Sequence, residues 1–149
     1  EAFLERLGEV MTVTPGAAPE PPGKGRFSMY LAGEWYGLEV PREAVEADDP
    51  VESLDAAILQ RLVLAPLLAV DDPRTSQRID FVGGIRGTEE LERRVAQHAG
   101  ASDGPAVAFS LHPVSVAELI AVSDAGHVLP PKSTWFEPKL RSGLLVHEF

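Results

Sequence analysis

Apolar residues recur along this chain with two different periods. Phe3, Leu4, Leu7 and Val10 fall at helical spacing, which predicts a short amphipathic helix over 2–10. Residues 15–25 are rich in Pro, Gly and Ala, carry no apolar period, and read as a flexible loop. Phe27-Ser28-Met29-Tyr30-Leu31 and Trp35-Tyr36-Gly37-Leu38-Glu39-Val40 then read as two strands, with Ala32-Gly33-Glu34 as their hairpin turn. Asp49 as a cap, Pro50 at the first helical position and Glu52 three residues after the cap mark a helix start. Val51, Leu54, Ile58, Leu59, Leu62 and Val63 make this the main core helix. Pro66 has no N–H to donate and should kink or end it, leaving Leu67 to Val70 as a second apolar turn.

Beyond a polar, turn-rich stretch from Asp71 to Arg78, Ile79-Asp80-Phe81-Val82 reads as a short strand. It leads through Gly83-Gly84-Ile85-Arg86-Gly87 into a helix that Thr88 can cap, with Leu91 and Val95 as its apolar stripe. Asp103-Gly104 marks a turn, and Ala106 to Leu111 is a buried-looking strand. Ser115-Val116-Ala117-Glu118 matches a capping box, opening a helix that carries Leu119, Ile120 and Val122 and that Gly126 ends. Gly143 to His147 reads as a last strand. The expected fold is α+β: one domain over 1–149, with a mixed, largely antiparallel sheet and three to four helices packed on it.

Composition narrows what such a domain can do. The 149 residues include no cysteine, which removes disulfides, thiolate metal sites and thiol nucleophiles and fits a cytoplasmic protein. No apolar run is long enough to span a bilayer, so no membrane association is expected. With 23 acidic and 13 basic residues the net charge is −10, which opposes nucleic-acid backbones. The cations are unevenly placed: residues 1–70 hold five cations against twelve anions, whereas 71–149 hold eight against eleven. A local anion site in the second half is therefore compatible with the acidic whole. The chain opens at Glu1 directly in a helical pattern, and we expect it to be the C-terminal domain of a longer protein.

Pro130-Pro131-Lys132-Ser133-Thr134-Trp135-Phe136-Glu137-Pro138-Lys139 is the densest mixture of charge, hydroxyl and aromatic groups. Prolines restrict the backbone, so the block suits polar groups presented from an apolar base. Lys132 and Lys139 are point charges for an anion, and Ser133 and Thr134 can donate to phosphate oxygens. The structural alternative packs Trp135 and Phe136 and pairs the lysines with nearby acids. At the second candidate, Gly84 would let the backbone approach a ligand at a helix start, and Arg86 would supply a guanidinium. This segment matches neither the phosphate-loop spacing nor the dinucleotide fingerprint, and many such turns only connect elements. Asp71 and Asp72 could hold Mg²⁺ with a nucleotide's phosphates, although an acidic turn is the commoner role. Of the four histidines, His112, ending a strand before Pro113, is the one to test as an acid or base.

Arg78 to Gly87, Leu111-His112-Pro113-Val114-Ser115 and Leu129 to Lys139 together resemble the C-terminal half of the domain-of-unknown-function family 1015. Members of that family carry, in a preceding half, an Asp-Gly-His-His-Arg motif similar to that of ParB-like proteins and free-serine kinases; it does not occur here. The resemblance implies a domain that helps complete a phosphate or nucleotide site with an upstream domain of the same protein. ATP or ADP with Mg, or another small anion, would be the ligand, and Lys132, Ser133, Thr134, Arg86, Lys139 and Gly84 its contacts. The rival expectation is a non-catalytic assembly domain that forms a homodimer or an intra-protein interface. ParB-like DNA association is disfavoured by the charge.

Overall fold

The computed structural model describes residues 2–98, 105–130 and 132–134. Helix α1 (Ala2–Gly8) leads into strand β1 (Thr12–Pro15), and the central hairpin follows as β2 (Arg26–Leu31) and β3 (Glu34–Glu39). Across the hairpin Phe27 lies opposite Leu38 and Met29 opposite Tyr36. Ala32 and Gly33 both take the left-handed conformation, with φ of 51° and 90°, the two-residue turn whose twist matches the strands it joins. β1 adds to β3, and β4 (Val107–Leu111) adds to β2, giving the order β1-β3-β2-β4, antiparallel at every pairing. The α+β expectation holds, with no parallel pairing among the described strands. Four-residue β1 has one aliphatic residue, Val13, and its strand state comes from pairing: Val13 lies opposite Leu38.

Alternation along β2 and β3 gives the sheet two different faces. Phe27, Met29 and Leu38 bury against Leu7, Met11, Ile58, Leu59 and Val63 from the covering helices. Each such aliphatic side chain stabilises the fold by roughly 1.5–3 kcal/mol relative to exposure. The opposite face takes residues 16–18 and α4 (Glu89–His98). Gly16 and Ala17 donate N–H groups to the Trp35 carbonyl at 2.9 and 3.1 Å, and Ser28 Oγ donates to the Ala18 carbonyl at 2.8 Å. A Cβ on Gly37 would stand 3.2 Å from the Ala17 Cβ, so glycine in β3 lets the two segments cross closely. Helix α4 is tied to the same face where Trp35 Nε1 donates to Glu92 Oε1 at 2.7 Å.

The core helix departs from expectation at its start. Asp49 Oδ1 accepts from the Val51 and Glu52 N–H groups at 2.8 and 3.0 Å, as a cap should, but it closes only a turn. Leu54 is extended, with ψ of 140°, and this turns its side chain fully inward; the helix proper, α2, is Asp55–Leu59. Pro66 does not end it. A wider π turn over Gln60–Leu64 precedes α3 (Ala65–Leu68), so the chain keeps a helical course around the N–H that Pro66 lacks. Ala69 then ends the run in the left-handed conformation, φ 53°.

Residues 79–82 are not a strand. Asp80 accepts from the Phe81 N–H at 2.8 Å and pairs with Arg94, and none of the described strands lies beside them. Helix α5 (Val116–Asp124) has the expected capping box, and Gly126 follows at φ 72°. The expected strand over 143–147 lies outside the described residues. No described helix is long and apolar enough to cross a membrane.

Candidate functional site

A small cleft forms where four segments meet: the loop before β2, the start of α2, the residues after β4, and α5. Lys24, Asp55, His112, Pro113, Val114 and Glu118 line it. Its enclosed part is about the size of one water molecule. Lys24 Nζ lies 2.6 Å from Glu118 Oε1. Glu118 Oε2 accepts from the Ser115 N–H at 2.8 Å and from Ser115 Oγ at 2.7 Å, while Ser115 Oγ accepts from the Glu118 N–H at 3.2 Å. Asp55 Oδ1 accepts from the Gly25 N–H at 2.9 Å, and the Gly25 carbonyl accepts from the Val40 N–H at 2.9 Å. Gly25 holds φ of 76°, a conformation in which side chains are strained, so glycine suits this junction.

The two carboxylates of the cleft are pushed in opposite directions. Burial raises the Asp55 carboxyl above its ordinary value, against the lowering pull of the Gly25 N–H and Lys24. Burial also pushes Glu118 upward, but Lys24 and the two Ser115 donors outweigh it and bring Glu118 down to about 2. Four ionisable groups thus share a cleft too small for an organic substrate, and three of them have their partners beside them.

The groups expected to gather an anion are placed elsewhere. Gly84 and Arg86 bound a single 3-10 turn, Gly84–Arg86, ahead of α4. A Cβ on Gly84 would meet open space, so no close approach requires glycine there. Arg86 stands 3.9 Å from Glu90, a carboxylate shared with Arg93 and Arg94 at 2.7 and 2.8 Å. Lys132 is exposed with φ of 60°, Ser133 Oγ donates to the Pro130 carbonyl at 2.7 Å, and Thr134 is exposed. Among the described residues no hydrogen bond or ion pair joins 84–86 to 132–134. Lys139, Trp135 and Phe136 lie outside the described residues. Asp72 is committed to Arg74, whose backbone N–H, Nε and Nη2 donate to it at 2.9, 3.1 and 3.2 Å. No group of three or more His, Asp or Glu among the described residues is arranged to hold a metal ion.

Of the sequence candidates among the described residues, only His112 reaches the cleft. Lys24, Asp55 and Glu118 were missed, although each had a faint signal. Lys24 is the one cation within the Pro/Gly-rich stretch 15–25, and Asp55 interrupts the apolar run from Leu54 to Ile58. Glu118 was read only as a capping partner.

Comparison with known protein families, with curated proteins and with solved structures found no match to this chain. The family resemblance rests on its motifs alone.

The largest unexplained surface feature is α5. Glu118, Ser123 and Asp124 interrupt its apolar residues; Val122 is its one fully buried residue, while Val116 is 72% and Ile120 53% exposed. Val116 and Ile120 sit four residues apart, one turn above the other, and Val128 beyond the helix is 87% exposed.

Proposed function

We propose that this chain is a non-catalytic assembly domain whose recognition element is α5, received by an apolar groove on another polypeptide. The observation that carries this reading is the pair Val116 and Ile120, one helical turn apart, both exposed and without a covering element among the described residues. Insertion of such a helix into a groove, read through anchors at i and i+4, is a recurrent mode of protein recognition. A second copy is a poorer occupant. Two nine-residue helices laid side by side cover far less than the roughly 800 Å² per partner of a stable interface. Each copy would also bring a net charge of −10.

A photo-crosslinking side chain at Ala117, exposed between the two anchors, tests the reading in the intact chain. The expected result is one discrete adduct, lost in Ile120→Asp, whose captured protein binds the purified wild-type domain and binds Ile120→Asp at least tenfold more weakly. Light scattering should show a monomer. A dimer broken by Ile120→Asp would replace the partner with a second copy. Absence of any adduct, with saturable binding of ATP, ADP or phosphoserine that Lys132→Ala removes, would overturn the reading in favour of the anion site.

A further inference from the structure

We propose that the cleft is a proton-operated relay: Lys24 serves Glu118 alone while Asp55 is neutral, and is shared between the two carboxylates once Asp55 ionises. The relay couples acidity to the tie between the loop before β2 and the first turn of α5, whatever α5 contacts. Its parts are held together by bonds that do not involve the ammonium. Asp55 Oδ1 accepts from the Gly25 N–H at 2.9 Å, and Gly25 directly follows Lys24, so the Lys24 backbone is pinned beside Asp55. Glu118 is fixed from the other side, where its Oε2 accepts from the Ser115 N–H and from Ser115 Oγ. Its Oε1 faces Lys24 Nζ at 2.6 Å. Lys24, Asp55 and Glu118 line one cleft whose enclosed part is about the size of one water molecule.

The two carboxylates differ in how well they tolerate charge. Asp55 is 7% exposed, so its ionisation forfeits hydration that the single Gly25 N–H only partly replaces. Glu118 keeps 22% of its side chain exposed and receives two Ser115 donors as well as the ammonium. Among the described residues, the titratable groups facing Asp55 are Lys24 from the loop before β2, His112 from beyond β4 and Glu118 from α5. Burial is the largest influence and, with Glu118, it outweighs the Gly25 N–H, Lys24 and His112, so the carboxyl sits above its ordinary value. Glu118 lies at about 2, so falling pH neutralises Asp55 first. Between the two steps Lys24 has one anion to serve. Above the Asp55 step it has two, and an ammonium with three donors on a flexible stem turns to both, which weakens its bond to Glu118.

A double-mutant cycle in the full chain reads the relay. Carboxyl-carbon NMR of the wild type first locates the Asp55 step. Urea unfolding of the wild type, Lys24→Met, Glu118→Gln and the double variant is then measured on the acid side and on the alkaline side of that step. Glu118→Gln retains a side chain that can close the capping box. On the acid side the coupling between positions 24 and 118 should be roughly two- to fivefold in the unfolding constant, as for a partly exposed pair, and it should fall on the alkaline side. In an Asp55→Asn background, which keeps the acceptor for Gly25, the coupling should hold its higher value on both sides. Equal coupling on the two sides in the wild type would overturn the relay. So would a fall that persists in Asp55→Asn, which would assign the effect to His112, and so would an Asp55 step at or below the ordinary carboxylate range.

Discussion

Asp55 is held for its position rather than for its charge. Its Oδ1 fixes the Gly25 N–H, while burial makes the ionised form unfavourable and raises its pKa. A carboxyl whose folded pKa lies above its unfolded value contributes stability that is present at low pH and lost as pH rises through the folded pKa. An amide keeps the accepting oxygen without the buried charge. Asp55→Asn is therefore expected to raise the urea midpoint at neutral pH, with a gain that shrinks as pH falls and wild-type Asp55 takes up its proton. Chemical denaturation of both proteins across the acid range checks the sign. Glu118 behaves oppositely: its contribution is present above the ordinary carboxylate range and is lost as pH falls from there toward about 2. The sequence shows the Ser115 cap of Glu118, but periodicity does not show that Lys24 reaches Glu118 or that Asp55 is buried against Gly25, because those partners are distant in the chain.

At the scale of elements, local chemistry predicted what local chemistry controls. The hairpin, the capping box at Ser115 and the terminating Gly126 are each set by a few adjacent residues, and each formed as expected. The errors lie where a neighbour decides. Ile79 to Val82 has strand-like residues but no partner among the described strands, and Asp80 turns to Arg94 instead. Thr12 to Thr14 are β-branched and suit a strand, but the run is too short to signal one by itself and is fixed by pairing with β3. The helix from Asp49 slips to Asp55 because extending Leu54 buries its side chain. One local choice in the hairpin remains suboptimal: Ala32 holds φ of 51°, where a Cβ is strained and Asn is favoured. Ala32→Asn should stabilise the domain by about 0.5 kcal/mol, raising the urea midpoint by roughly 0.2–0.5 M with an unchanged slope. An altered slope would mean that the turn changes more than the hairpin.

Across the whole molecule, an acidic surface and a charge-held helix respond to salt with opposite signs. Net charge of −10 makes the folded chain repel itself, and screening relieves that repulsion. The Lys24–Glu118 pair is attractive and partly exposed, so the same screening weakens it. Neither effect is visible in the hydropathy pattern, which treats α5 as one more core helix; only the fold shows that within α5 Val122 alone is deeply covered and that Lys24 reaches its first turn. Moving from low salt to about 1 M sodium chloride, where charges are screened beyond about 3 Å, should raise the urea midpoint of the whole domain. In the same titration the α5 amides should exchange faster relative to those of β2 and β3, and Lys24→Met should remove that relative change while keeping the rise in midpoint. If salt moves α5 and the sheet together in both proteins, the helix is an integral part of one cooperative unit and the ion pair does not set its local stability.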